Sequence, residues 1–242
     1  MADTSRDFDS PWLADKGLNL QAAFDLSTLP DDIVQGLADH CQDPGAYRQL
    51  LLIGHGGRQL WQGVQQADSD TDNPVDDYTV AKMEEFLGRE CPGAQCTFLY
   101  PGPAPIGLRA LGALAGWHHA SPFRVGIHAH WGTWFAYRAV VLTTTDFKPT
   151  VVPDQPSPCD DCDAKPCIPV CPAKAVAGDE LDLDKCLDYR LGEKTFCADK
   201  CLSRLACPVG AEHRYSKDQM GYHYGRSLQV VRAWDRTGRS IS

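Results

Sequence analysis

Hydrophobic and polar positions along the chain alternate between helical and strand-like spacing. Asp31–His40 (DDIVQGLADH) places its apolar residues at helical intervals and predicts a short amphipathic helix. Leu50–Ile53 (LLLI) is a compact apolar run that ends at Gly54-His55-Gly56-Gly57, after which Arg58–Gln66 takes on helical character. That stretch predicts a buried strand, a tight glycine turn and a helix. From Asp76 the segment DDYTVAKMEEFLGRE, with its acidic start, predicts another helix. Thr97–Tyr100 reads as a second short strand and Ile106–Gly116 as a third helix, whereas residues 1–30 show little periodicity and are expected to wrap a surface.

The most strand-like segment is Phe123–Thr145 (FRVGIHAHWGTWFAYRAVVLTTT), rich in β-branched and aromatic residues, with Gly132 at a hairpin turn. Four prolines between residues 148 and 158 end it, because proline can continue neither sheet nor helix. Near the end, Tyr215–Gly221 predicts one or two helical turns. The pattern is that of an α/β protein with an added metal module.

Composition refines this picture. Of the 242 residues, 43% are hydrophobic and 23% charged, values ordinary for a soluble globular protein. No run approaches the roughly 18 apolar residues of a membrane helix, and Met1–Ser10 is polar and acidic, without the pattern of a secretory leader. The net charge of −9 disfavours nucleic acid, whose phosphates reward the opposite sign. A cytoplasmic protein without membrane or nucleic-acid partners is the expectation.

Against that background eleven cysteines need a reason. In a reducing compartment a dense cluster of thiols reads as metal or redox chemistry, not as a disulfide framework. Cys41, Cys91 and Cys96 stand apart and read as small buried or half-buried hydrophobes. The other eight fall into two runs, Cys159-x2-Cys162-x4-Cys167-x3-Cys171-Pro172 and Cys186-x10-Cys197-x3-Cys201-x5-Cys207-Pro208. Two [4Fe–4S] clusters, one cluster with spare thiols, or zinc are all compatible with such spacing. Eight thiolates in two near-copies, each ending in Cys-Pro, favour two clusters. The neighbouring Asp160, Asp161 and Asp163 read either as a solvated face or as a means to lower a potential or dock a donor.

The two Cys-Pro ends (CPAKAV, CPVGA) resemble bacterial-type two-cluster ferredoxins, in which the fourth Cys of each run ligates the other cluster. The resemblance implies Cys159, Cys162, Cys167 and Cys207 for one cluster, and Cys186, Cys197, Cys201 and Cys171 for the other. The second run departs from the ferredoxin pattern, which leaves Cys186 the least secure of the eight.

The segment before the cysteines carries a second resemblance. Ile127–Leu142 is similar to a motif of the CblC-type cobalamin-processing proteins, and to the strand that leads into the ferredoxin cysteines of epoxyqueuosine reductase and the reductive dehalogenases. Asn73-Pro74-Val75-Asp76 and His213–Gln219 resemble further CblC segments, although Ala129 replaces the proline of the "IHP" motif. These groups share a nitroreductase-like cobalamin-binding scaffold. The resemblance implies that scaffold in residues 1–150, a ferredoxin-like iron–sulfur module in 151–212, and a C-terminal segment, 213–242, packing back on the first domain.

It also implies a cobalamin site, with contacts from Ser121, Pro122, Phe123, Arg124, His128, Gly132, Phe135, Ala136 and Tyr137. His128 belongs to the pocket or its framework, not to the cobalt ligands. An aromatic wall from Trp131, Trp134, Phe135 and Tyr137 suits a large flat ring, although such a segment equally suits a protein core. His118 and His119 read as exposed residues at a helix end or as additions to the site. The C-terminal part does not resemble the helical repeats that grip tRNA in epoxyqueuosine reductase.

The expected function is an oxidoreductase that passes single electrons from its clusters to a corrinoid. The corrinoid is either the substrate or the cofactor for reducing a small molecule, and an external ferredoxin, flavodoxin or reductase supplies the electrons. An electron carrier without its own catalytic site is the alternative, and a flavin in the scaffold is a third reading that no clear phosphate-binding motif supports.

Overall fold

The structure, a computed structural model, describes residues 6–38, 40, 43–153, 155–178 and 180–236. Strand β2 (Gln49–Gly56) is buried along its whole length, as its continuous apolar run predicts for a central strand. It lies between β1 (Leu20–Asp25) and β4 (Phe135–Thr143), and β3 (Cys96–Tyr100) pairs with the far edge of β4. The order is β1-β2-β4-β3 and every pairing is antiparallel. The protein therefore mixes α and β elements around an antiparallel sheet, not the regular βα alternation that the sequence pattern suggests.

Helices α1 (Pro11–Asp15), α2 (Asp31–Ala38), α3 (Gln59–Ala67), α4 (Pro74–Glu90) and α5 (Leu108–Leu114) accompany this sheet. Pro74 opens α4 where a missing N–H costs nothing, and Asp76 and Asp77 sit in its first turn, where the helix dipole favours acid. Several polar groups inside the sheet layer are paired. The Gln49 amide donates to the Phe147 carbonyl (2.6 Å) and accepts from Phe147 N–H (2.8 Å) and Thr145 Oγ1 (3.0 Å). Arg138 Nε donates to His55 Nδ1 at 2.9 Å.

The chain divides into two compact units, Met1–His118 with Phe135–Gln155, and His119–Trp134 with Pro156–Ser242. The second holds a two-residue hairpin, β5 (Val176–Ala177) and β6 (Glu180–Leu181), with helices α6 (Leu183–Leu191), α7 (Leu202–Ala206) and α8 (Lys217–Arg236). Among the described residues no helix is long and apolar enough to cross a membrane.

Three expectations are revised. Residues 1–30, expected to wrap a surface, contribute α1 and the edge strand β1. Helix α8 runs for 20 residues, well beyond one or two turns. Most importantly, Phe123–Thr145 is not a strand-turn-strand. Only Phe135–Thr143 is a strand, and residues 119–134 form isolated bridges, His119 with Ile127 and His128 with Gly132. Left-handed backbone at Arg124 (φ 61°) and Gly132 (φ 57°) turns the chain where a strand would run straight.

Candidate metal centres in the cysteine unit

The eight cysteines of the two runs fall in the second unit, and they gather into two sets of four. Burial raises the Cys159 thiol, which Cys207, Cys167 and Cys162 raise further. Burial likewise raises Cys167, followed by Cys207 and Cys162. In the other set, burial and then Cys201, Cys171 and Cys197 push Cys186 up to about 11, with Arg190 opposing. Cys197 is raised by burial and then by Cys201 and Cys171. The thiols that act on Cys159 and Cys167 are thus drawn from Cys162, Cys167 and Cys207, and those that act on Cys186 and Cys197 from Cys171, Cys197 and Cys201.

Cys171, Cys186, Cys197 and Cys201 line one cavity of about 160 Å³, walled by Phe123, Tyr189 and Tyr224. Among the described residues no three His, Cys, Asp or Glu side chains stand close enough to hold a single metal ion. Zinc draws its thiolates in to about 2.3 Å and so crowds them together. A cubane is larger than one ion and holds its thiolates further apart.

Local structure explains how one short run serves both sets. Lys165 (φ 33°) and Lys174 (φ 49°) are left-handed, and Ile168 N–H bonds to the Lys165 carbonyl, Cys171 N–H to that of Ile168. Cys167 packs with Phe123 and Val176 in a small apolar core, flanked by Ile168, Cys171 and Leu181. Cys186 rides on α6, whose N-cap Asp182 accepts from Lys185 N–H. Cys201 and Cys207 bracket α7. The Arg190 guanidinium ties these parts together, donating to the Cys197 carbonyl (3.2 Å), Ser227 Oγ (3.0 Å) and the Tyr224 carbonyl (2.9 Å).

Sequence reasoning did not single out Arg190 or Arg204, since arginines between cysteines read as surface. Arg204 is only 9% exposed. Its guanidinium donates twice to the Thr133 carbonyl (3.2 and 2.5 Å) and lies over the rings of Trp134 (4.5 Å) and Tyr215 (4.9 Å).

The nine residues expected to contact cobalamin divide between the units. Ser121, Pro122, Phe123, Arg124, His128 and Gly132 belong to the second, and Phe135, Ala136 and Tyr137 to the first. Ser121, Pro122, Phe123 and Gly132 are buried within the structure. Ser121 Oγ donates to the Val125 carbonyl at 2.5 Å, and Gly132 packs on the Val209–Gly210 backbone. Arg124 is exposed, while His128, Ala136 and Tyr137 are half-buried.

His128 Nδ1 accepts from the backbone N–H of His130 (3.0 Å) and Trp131 (3.3 Å), so it closes a turn and does not share a strand face with His130. Burial, then the charges of His130 and His119, depresses His128 to about 4. The Tyr137 hydroxyl meets His118 Nδ1 at 3.3 Å, and its ring stacks on Trp117. His118 and His119 are both half-buried, not exposed. Of the separate cysteines, Cys91 is half-buried beside Arg6, Cys96 is exposed, and Cys41 lies outside the described residues.

With this geometry in hand, solved structures can be compared. An epoxyqueuosine reductase crystallised with a tRNA stem loop superposes at TM-score 0.53 and 14% identity, over 87% of this chain and 66% of that one. The fold resembles epoxyqueuosine reductase. The catabolic reductive dehalogenase NpRdhA matches at TM-score 0.50 and 12% identity, over 90% of this chain and 33% of that one. The C. elegans B12-trafficking protein CblC matches at TM-score 0.48 and 14% identity, over 88% and 89% of the two chains. This chain spans 64–66% of the length of the epoxyqueuosine reductases it matches. No protein-family model matches the chain, and no curated protein matches it by sequence.

Proposed function

We propose that this protein is an iron–sulfur oxidoreductase that passes single electrons from two [4Fe–4S] clusters to a bound corrinoid. The corrinoid is either reduced and processed itself or serves as cofactor for the reduction of a small molecule. The observation that carries the reading is the gathering of eight thiols into two sets of four, one of them lining a common cavity. Likeness in fold to epoxyqueuosine reductase and a reductive dehalogenase supports the choice of acceptor.

In this reading Cys159, Cys162, Cys167 and Cys207 hold one cluster, and Cys171, Cys186, Cys197 and Cys201 the other. When bound, the clusters would supply electrons one at a time and at low potential, the chemistry that reduction of a corrinoid would need. The protein's own residues exclude water and fix the ligands. Phe123 packs on Cys167 and also lines the cavity of the second set, so one ring shields both. Arg190 clamps the Cys197 loop to α6 and α8. Of the expected corrin contacts, Arg124 and His128 in the second unit and Ala136 and Tyr137 in the first are exposed or half-buried, whereas Ser121, Pro122, Phe123, Gly132 and Phe135 are buried. An external low-potential protein is the electron source. The charge of −9 favours a small molecule or corrinoid over a tRNA as substrate.

A second reading, an electron carrier without its own catalytic site, is favoured by that same burial of Ser121, Pro122, Phe123 and Gly132. Anaerobic reconstitution followed by titration with cobalamin separates the two. Stoichiometric binding with a changed visible spectrum upholds the corrinoid reading, and no binding at micromolar concentration rejects it in favour of the carrier.

A further inference from the structure

The loop between α6 and α7, residues 192–201, carries Cys197 and ends at Cys201, and none of its residues is buried. Phe196, beside Cys197, is 66% exposed. Among the described residues, the loop's own hydrogen bonds reach no further than the helices on either side. Gly192 N–H bonds to the carbonyls of Asp188 and Tyr189, and Cys197 N–H to Thr195 Oγ1. A segment with so few buried or remote contacts opens easily unless something else holds it.

Arg190 supplies that hold. It lies four residues after Cys186 on α6, one turn along the same face, and both residues line the cavity of the second set. Its Nε donates to the Cys197 carbonyl, while Nη1 and Nη2 donate to Ser227 Oγ and the Tyr224 carbonyl on α8. The guanidinium also stands 5.3 Å from the centre of the Tyr224 ring, and Tyr224 walls the same cavity. One planar fork thus joins the cysteine loop, α6 and α8. Among the described residues no carboxylate draws it away.

The first set is held by other means. Cys159 N–H bonds to Ser157 Oγ, Cys162 N–H to the Cys159 carbonyl and Ile168 N–H to that of Lys165, so this loop is tied to itself. Cys167 is buried against Phe123 and Val176, and Cys207 N–H bonds to the Arg204 carbonyl. None of these contacts involves α8.

On the iron–sulfur reading above, we infer that α8, which carries no cysteine, is part of the second cluster's site and not of the first's. Through Arg190 it fixes the Cys197 loop, so retention of that one cluster depends on it. Arg190 is a positioning residue, and the shape of its fork matters more than its charge. Lysine keeps the charge, but a single ammonium cannot reproduce the fork that bridges the Cys197 carbonyl and α8.

The test is anaerobic release of iron to a chelator from the reconstituted full chain, as wild type, Arg190→Lys, Arg190→Gln and Ser227→Ala, with iron and sulfide counted beforehand. In both Arg190 variants about half of the iron is expected to leave about tenfold faster than in wild type, the ratio that loss of one charge-assisted hydrogen bond gives. The rest leaves at the wild-type rate. Ser227→Ala speeds the same half by less and adds nothing to Arg190→Gln, because α8 acts through the guanidinium. The Arg190 substitutions are repeated in Cys159→Ser, which keeps the second cluster alone, and in Cys186→Ser, which keeps the first. The effect is expected only in Cys159→Ser.

Wild-type release from Arg190→Lys shows that charge suffices and overturns the inference. Faster release of both halves, faster release from the Cys186→Ser protein, or loss of both clusters marks a general loosening and overturns it as well. Reconstitution of Arg190→Gln with about four irons, the first cluster alone, upholds it. About four irons in wild type overturns the two-cluster reading itself, and the count taken before any chelator is added tells that outcome apart.

Discussion

Gly132 lies against Val209: a Cβ on Gly132 would overlap the Val209 carbonyl oxygen. The approach is mutual, because a Cβ on Gly210 would stand 2.5 Å from the Trp131 carbonyl carbon. Both glycines have left-handed backbone, φ 57° and 62°. The turn that His128 closes is thereby seated on the segment that follows Cys207-Pro208.

Gly132→Ala is therefore expected to destabilise the protein, since it combines a positive φ with a collision against backbone that cannot swing away. A loss of about 2 kcal/mol is expected, read as a fall of roughly 4–8 °C in the melting temperature of the reconstituted protein. An unchanged melting temperature would show that the seat is loose.

Replacing one thiol in each set should remove different clusters. Cys159→Ser and Cys186→Ser are each expected to lower iron and sulfide from about eight toward about four per chain. The double variant should approach none. Full iron content in Cys186→Ser would take that residue out of the ligand set.

His128 gives a dependence on pH. Its depression to about 4 lies below the ~6.5 of a free imidazole, so the unfolded chain binds the proton more readily between those values. The residue's contribution to stability is complete above pH ~6.5 and is lost as pH falls toward 4. Allowing for solvent screening of this half-buried ring, on the order of 1–2 kcal/mol is at stake. His128→Asn keeps an acceptor for the His130 and Trp131 N–H groups but does not titrate. Denaturant melts at pH 7 and 4.5 should show wild type losing that much more than the variant, and equal losses would contradict the assignment.

Gln49 is 1% exposed and serves one carbonyl, one N–H and one hydroxyl. Gln49→Leu fits the space but leaves those groups buried without this partner. The expected cost is about 1–3 kcal/mol in equilibrium unfolding, and a neutral result would mean that water takes over the role.

The sequence was informative where one local pattern carries the signal. Leu50–Ile53 announces a central strand because both faces are buried, whereas the two thiol sets were only what the ferredoxin resemblance implies. Strand β1 (LQAAFD) escaped because it lacks β-branched residues and alternates poorly. Helix α8 was shortened by Gly221 and Gly225, which weaken helical propensity where tertiary packing decides. Residues 123–134 have strand composition, but their aromatics serve other ends: Phe123 packs on Cys167, and Trp134 lies under Arg204. Arg204 itself was invisible, since its partner carbonyl at Thr133 is 71 positions away.

The cysteine unit is assembled from two separate stretches, His119–Trp134 and Pro156–Ser242, with β4 between them in the chain. A free-standing ferredoxin can be lifted out as one cassette, but this unit cannot. A graft beginning at the first cysteine would leave behind Phe123, which walls its cavity, and Thr133 and Trp134, which cradle its arginine. Strand β4 joins those two stretches along the chain, so transplanting the cysteine unit into another scaffold means transplanting a sheet strand with it.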